Sequence, residues 1–226
     1  MYRSILTGFL ILSFALICLP ATAYSQDATA AYNNGINFTQ SGNYTAALLE
    51  YEQAVTLEPS YYEAWNGIAD ILNRNRDFAN ALNASDNSLN INPRYVKGWI
   101  NRGQILYNIG YVYEDKLHNT DKANLLYNEQ ILAFENATTI DPNDSEAWFN
   151  LAYALAGVKR YDEAIADFDR VATLDPNYPK LAANRAIAVQ LRDASTPWYV
   201  KNAMAIEMGV VIFAGIGTWA YLRKKE

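Results

Sequence analysis

Few side chains in this chain are equipped for covalent or acid–base chemistry. His118 is the sole histidine and Cys18 the sole cysteine. General acid–base work needs titratable groups positioned in pairs, and no serine here has a histidine partner. No glycine-rich phosphate loop appears. Asp162, Glu163, Asp167 and Asp169 are spaced for the outward side of one helix, the ordinary place for a solvated charged face. No catalytic residue, cofactor or metal site is expected, so the chain reads as a non-enzyme. Lys and Arg number 18 against 24 Asp and Glu, a formal charge of −6. Without a basic stripe, nucleic acid is not an expected partner.

The side chains that stand out are amides and aromatics. Asparagine is abundant, and five of its copies open glycosylation sequons: Asn37, Asn43, Asn83, Asn136 and Asn143. Asn143 follows a helix stop directly and is the best-placed acceptor. Use of these sites implies an N-glycosylating envelope. The same amides serve turns in helical arrays, so the sequons alone decide nothing.

The elements that must position these groups recur at a fixed interval. Pro59, Pro93, Pro142 and Pro176 lie 34, 49 and 34 residues apart. Each closes a segment that reads like its neighbours. Tyr44-Thr-Ala-Ala47 precedes Pro59 as Tyr161-Asp-Glu-Ala164 precedes Pro176, and Tyr51 and Phe168 follow four residues after each alanine. Apolar residues recur at i, i+4 and i+7, which marks amphipathic helices. Proline lacks an N–H and restricts the residue before it, so each proline stops a helix. Small residues at Gly35, Ala47, Ala69, Ala81, Gly103, Ala152 and Ala164 allow close helix approach. The segment between Pro93 and Pro142 carries fifteen extra residues, roughly Tyr111–Leu125. They extend both of its helices by about two turns, or about 11 Å, with a helix N-cap at Thr120 or Asp121. Ser85 and Ser88 replace an aromatic and an alanine, which marks the second unit as looser.

This pattern resembles the tetratricopeptide repeat (TPR) family. The resemblance covers about residues 28–194 and implies an all-α right-handed solenoid of four helix-turn-helix repeats. The repeats run 28–61, 62–95, 96–144 and 145–178, and a solvating helix follows over 179–194. It also implies a concave groove lined by the first helix of each repeat. The sixth residue of those four helices is Asn33, Gly67, Asn101 and Asn150, and Asn184 takes the same place in the solvating helix. In the family, such asparagines can bond an extended peptide, because an amide offers a donor and an acceptor together; they can equally support packing. The implied groove is completed by Tyr32, Asn66, Asp70, Tyr107, Phe149 and Tyr153. The lysine and asparagine of the family's carboxylate clamp are replaced by Tyr32 and Ile36, which removes the expectation of chaperone tails.

The two ends bear on location. Ile5–Leu19 is an apolar run preceded by Arg3 and followed by Ala21-Thr-Ala23, the form of a signal peptide spanning 1–23. Ala203–Leu222 is apolar but for one charge at Glu207 and is long enough to cross a bilayer, so a membrane helix is expected over 198–222, with Trp198, Tyr199, Trp219 and Tyr221 at its ends. The basic tail 223–226 then belongs inside the cell and the repeats outside it. Two classes of function follow. One is a single-pass scaffold holding a protein or peptide in its groove outside the cell. The other is a structural subunit of an envelope complex, using the convex face, the extension or the membrane helix. Oligomeric state is open.

Overall fold

The structure is a computed structural model, which describes residues 24–196. The expected signal segment and membrane-spanning segment lie outside the described residues. Among those described there are nine helices and no strand. They are α1 (Gln26–Gln40), α2 (Tyr44–Leu57), α3 (Tyr62–Arg74), α4 (Phe78–Ile91), α5 (Val96–Asp115), α6 (Thr120–Ile140), α7 (Ser145–Gly157), α8 (Tyr161–Leu174) and α9 (Leu181–Ser195). None of these is long and apolar enough to cross a membrane. Each helix packs on its sequence neighbours, and odd-numbered helices also touch the next odd one. The even-numbered helices do not touch each other. The odd helices therefore form the inner, crowded layer of a curved array, and the even helices form the outer layer.

The prolines act through the residue before them. Glu58, Asn92, Asp141 and Asp175 end α2, α4, α6 and α8 with ψ between 89° and 95°, the extended region that a following proline enforces. Three of the four turns are then tied down again. The indoles of Trp65, Trp99 and Trp148 donate to the carbonyls of Pro59, Pro93 and Pro142 at 3.0, 2.9 and 2.9 Å. The tryptophans thus bury apolar area and satisfy a turn carbonyl in one step. Within repeats, Gly42, Arg76, His118 and Lys159 adopt left-handed φ between 48° and 78° and turn the chain into the next helix.

Aromatic rings of outer helices enter notches in inner ones. Tyr51 lies against both Gly35 and Gly67, where an added Cβ would stand 2.5 and 2.8 Å from its ring. Phe134 fills the notch at Gly103, and Tyr127 that at Gly110. Two larger cores result. One joins the first two repeats around Tyr51, Ile68 and Ile71, and the other joins the last two around Phe134, Leu155 and Phe168.

The longer third repeat places seven extra residues in each helix: α5 and α6 have 20 and 21 residues, against 13 in α7 and 14 in α8. Its turn differs by one residue from the expected cap. Asn119, rather than Thr120 or Asp121, caps α6 by accepting from the Lys122 N–H at 3.0 Å. His118 takes the left-handed turn position immediately before it, and asparagine caps as well as either alternative. In the second repeat Ser85 and Ser88 are fully buried. Ser88 donates to the Tyr62 carbonyl at 2.8 Å, whereas the Ser85 hydroxyl has no partner.

Candidate binding groove

Three clefts run along the inner layer and share lining residues. The first, about 290 Å³, contains Tyr32, Glu63, Asn66, Asp70, Tyr95 and Glu146. Asp70 and Gln104 also line the second, of about 340 Å³, together with Tyr107, Asn150 and Tyr153. Tyr107, Gln130 and Tyr153 continue into the third and largest, of about 760 Å³, which lies between the extension of α5 and α6, the end of α7, and α9. Periodicity explains the continuity. Asp70, Gln104, Tyr153 and Ile187 occupy the same register of α3, α5, α7 and α9, so they succeed one another along one surface.

The sequence-derived candidates divide on this surface. Tyr32, Asn66, Asp70, Tyr107, Asn150 and Tyr153 line the clefts, and Asn184 lines the third. The expected row of free amides is not what the geometry presents. Asn101 is 6% exposed, and its amide donates to the Oδ1 and the carbonyl of Asn66 at 3.0 and 3.2 Å. Two turns further on, Asn108 donates to Asn73 Oδ1 at 2.9 Å. Asn184 donates to its own helix at the Lys180 carbonyl. Asn33 is exposed on α1, outside the lining of these clefts. Phe149 packs inward, with ring centroids 5.6 Å from Phe168 and 4.8 Å from Tyr178. Its register points it at the next outer helix, where burying a ring gains more than exposing it. Asn37, Asn83 and Asn136 are exposed on helices, Asn43 caps α2, and Asn143 is exposed in the turn after Pro142.

Electrostatics differ along the groove. Three carboxylates, Glu63, Asp70 and Glu146, share the first cleft with a single cation, Lys97. Asp70 is held by Arg74 at 2.9 Å, and Glu63 accepts from the Tyr24 hydroxyl at 3.1 Å. Burial, then the neighbouring Asp144, pushes the Glu146 carboxyl above its usual range. Burial also raises Tyr32 to about 12 and Tyr95 further. These phenols stay protonated at neutral pH and offer hydrogen-bond donors. The third cleft is more apolar. Tyr107, Tyr111, Tyr153, Ile187 and Leu191 all line it, and all are at least 38% exposed.

Sequence reasoning missed Tyr111, Ile187 and Leu191 as lining residues. It also missed the two amide clasps, although each joins residues 35 apart, one more than the repeat length. Among the described residues, no group of three His, Cys, Asp or Glu side chains is placed to hold a metal.

Comparison with known proteins agrees with this architecture. Residues 32–89 and 145–178 match models described as tetratricopeptide repeat. The chain is 29% identical over 129 residues to photosystem I assembly protein Ycf3 of Acaryochloris marina, covering 56% of this chain and 77% of that protein. It is 30% identical over 69 residues to the chloroplastic TPR domain-containing protein PYG7 of Arabidopsis thaliana, covering 30% of this chain and 23% of that one. A thermophilic TPR protein of Thermus thermophilus superposes with a TM-score of 0.61 at 18% identity, over 71% of this chain and 80% of that one. MamA residues 41 to the end, from Desulfovibrio magneticus RS-1, gives 0.54 at 16%, over 77% and 100%. The chain therefore carries tetratricopeptide repeats at residues 32–89 and 145–178, within an all-helical TPR solenoid.

Proposed function

We propose that this protein is a non-enzymatic scaffold that holds an extended protein or peptide segment against its inner helices. The observation that carries the reading is the third cleft. Five large aromatic and aliphatic side chains remain exposed there on one concave surface, and a contiguous apolar patch of this kind marks an interaction site. A scaffold role also accords with the relative named for photosystem I assembly, a task of bringing proteins together. The sequence adds a location to this proposal: a signal peptide, a C-terminal membrane span, repeats outside the cell, and glycosylation with Asn143 as first acceptor. A structural role through the outer layer is the competing reading.

The test is capture of binding partners by the full chain and by its Tyr107→Ser, Tyr153→Ser double variant, with helicity and melting temperature matched. The proposal expects partners to be lost from the variant. Partners retained at native yield would move function to the outer layer. Protease protection of the repeats in intact cells checks the orientation.

A further inference from the structure

The two ends of the groove have different chemistry. At the α3 end, Glu63 and Glu146 have no ion-pair partner within 4 Å among the described residues. Both line the first cleft, beside the rings of Tyr32 and Tyr95. Asp70 lines the same cleft with only one of its oxygens on Arg74. Carboxylates in a partly desolvated cleft attract a cation by charge-assisted hydrogen bonding. Lys97 offsets one of the three charges and Arg74, paired with Asp70, a second, so the cleft keeps an excess negative charge. At the α9 end, Tyr153 and Ile187 are half exposed and face the extension. Ionised groups lining this end are limited to Glu114 and Lys159, which cancel in net charge.

Resting on the groove reading above, we propose that the occupant is a segment of mixed chemistry: arginine or lysine side chains seated at the α3 end, and bulky apolar side chains seated in the cleft between the α5–α6 extension and α9. Charge complementarity selects the first part, and the exposed apolar surface selects the second. An acidic tail is rejected, because it would place like charges against Glu63 and Glu146 in a partly desolvated cleft.

The experiment uses the full chain in zwitterionic nanodiscs, with empty discs as the blank, and three dye-labelled twelve-residue peptides. One carries Arg-Lys-Arg at one end and Leu-Phe-Leu at the other, the second replaces the basic triplet by Glu-Asp-Glu, and the third replaces the apolar triplet by Ser-Ser-Ser. The basic–apolar peptide should bind at least about tenfold tighter than either of the others. Glu63→Gln with Glu146→Gln should cut its advantage over the acidic peptide to below about threefold. Glu52→Gln with Glu129→Gln, the same charge change on outer helices, should leave that advantage intact. Tyr153→Ser with Ile187→Ser should abolish its advantage over the serine peptide. Equal binding of the basic and acidic peptides, still weakened by Tyr153→Ser, would overturn this inference and leave the groove reading standing. Binding indifferent to every inner-layer substitution, or no binding at all, would overturn the inference; in the first case the groove reading fails with it.

Discussion

The junction between the first and second repeats and that between the second and third achieve the same helix stacking by different means. At the first, Tyr51 from α2 wedges between Gly35 and Gly67, with its hydroxyl 3.3 Å from Thr39. At the second, the three matching positions, 34 residues on, are Ser85, Ala69 and Asn101. No ring is available, and Asn101 and Asn108 bridge instead to Asn66 and Asn73 on α3. At the centre of each junction, the first is held by shape and the second by hydrogen bonds, while Tyr24 adds one hydrogen bond to Glu63 at the edge of the first. Ring burial is non-directional and large, whereas a net hydrogen bond contributes about 1 kcal/mol. The second junction also holds two buried polar atoms without partners, Ser85 Oγ and Asn101 Oδ1, so it should open before the first.

Transferring the serine solution to the first junction gives the largest expected effect. Tyr51→Ser empties the space between Gly35 and Gly67 with no amide clasp to compensate, and should cost about 3–5 kcal/mol in urea unfolding. A loss below about 1 kcal/mol would show that the ring is not what joins these repeats. Asn101→Ala should cost about 1 kcal/mol. Hydrogen exchange should show α3 and α5 opening faster while α1 and α2 keep their protection.

Asp167, outside both junctions, gives a smaller effect with a defined sign. Burial first, then Glu163 and Glu135, raises its carboxyl from 3.8 to about 6. Its folded pKa exceeds its unfolded one, so its contribution to stability is complete below about 3.8 and is lost as pH rises through about 6. Asp167→Asn should therefore stabilise the fold at pH 7 by less than about 1 kcal/mol and lose that gain by pH 4, since the group is only half buried and solvent screens it. An equal effect at both pH values would refute the assignment. The smallest effect belongs to Ser85→Ala, which removes an unpartnered hydroxyl and should be neutral or slightly stabilising. Ser88→Ala, which breaks a 2.8 Å bond to Tyr62, should cost about 1 kcal/mol.

The helical character of the segments was legible because the signals are local. Proline acts on the residue before it, and an amphipathic stripe shows within one segment. Glycine notches were legible as small residues, but their occupants belong to other helices. Tyr51 reaches a residue sixteen positions away on both sides, so the ring and its notch are visible separately and not as a pair. The asparagines failed as groove markers for a related reason. Asn101 sits at the inner-layer position, yet the missing ring at Ser85 leaves room for it to turn between helices. The same register in α7 leaves Asn150 on the cleft. Identical sequence positions diverge here because a neighbour in another repeat differs. Ile187 and Leu191 escaped notice because an aliphatic pair on an end helix reads as core, and nothing local reports that α9 leaves them uncovered.

Partners that engage the inner layer must come within reach of its exposed side chains. The most direct measurement is site-specific photocrosslinking in cells, with a benzophenone side chain placed at Tyr153 in the groove or at Leu132, which is exposed on α6 and does not line the clefts. Binding at the inner layer gives a discrete adduct from Tyr153 and none from Leu132. An adduct from Leu132 with none from Tyr153 would contradict it and place the working surface on the outer layer.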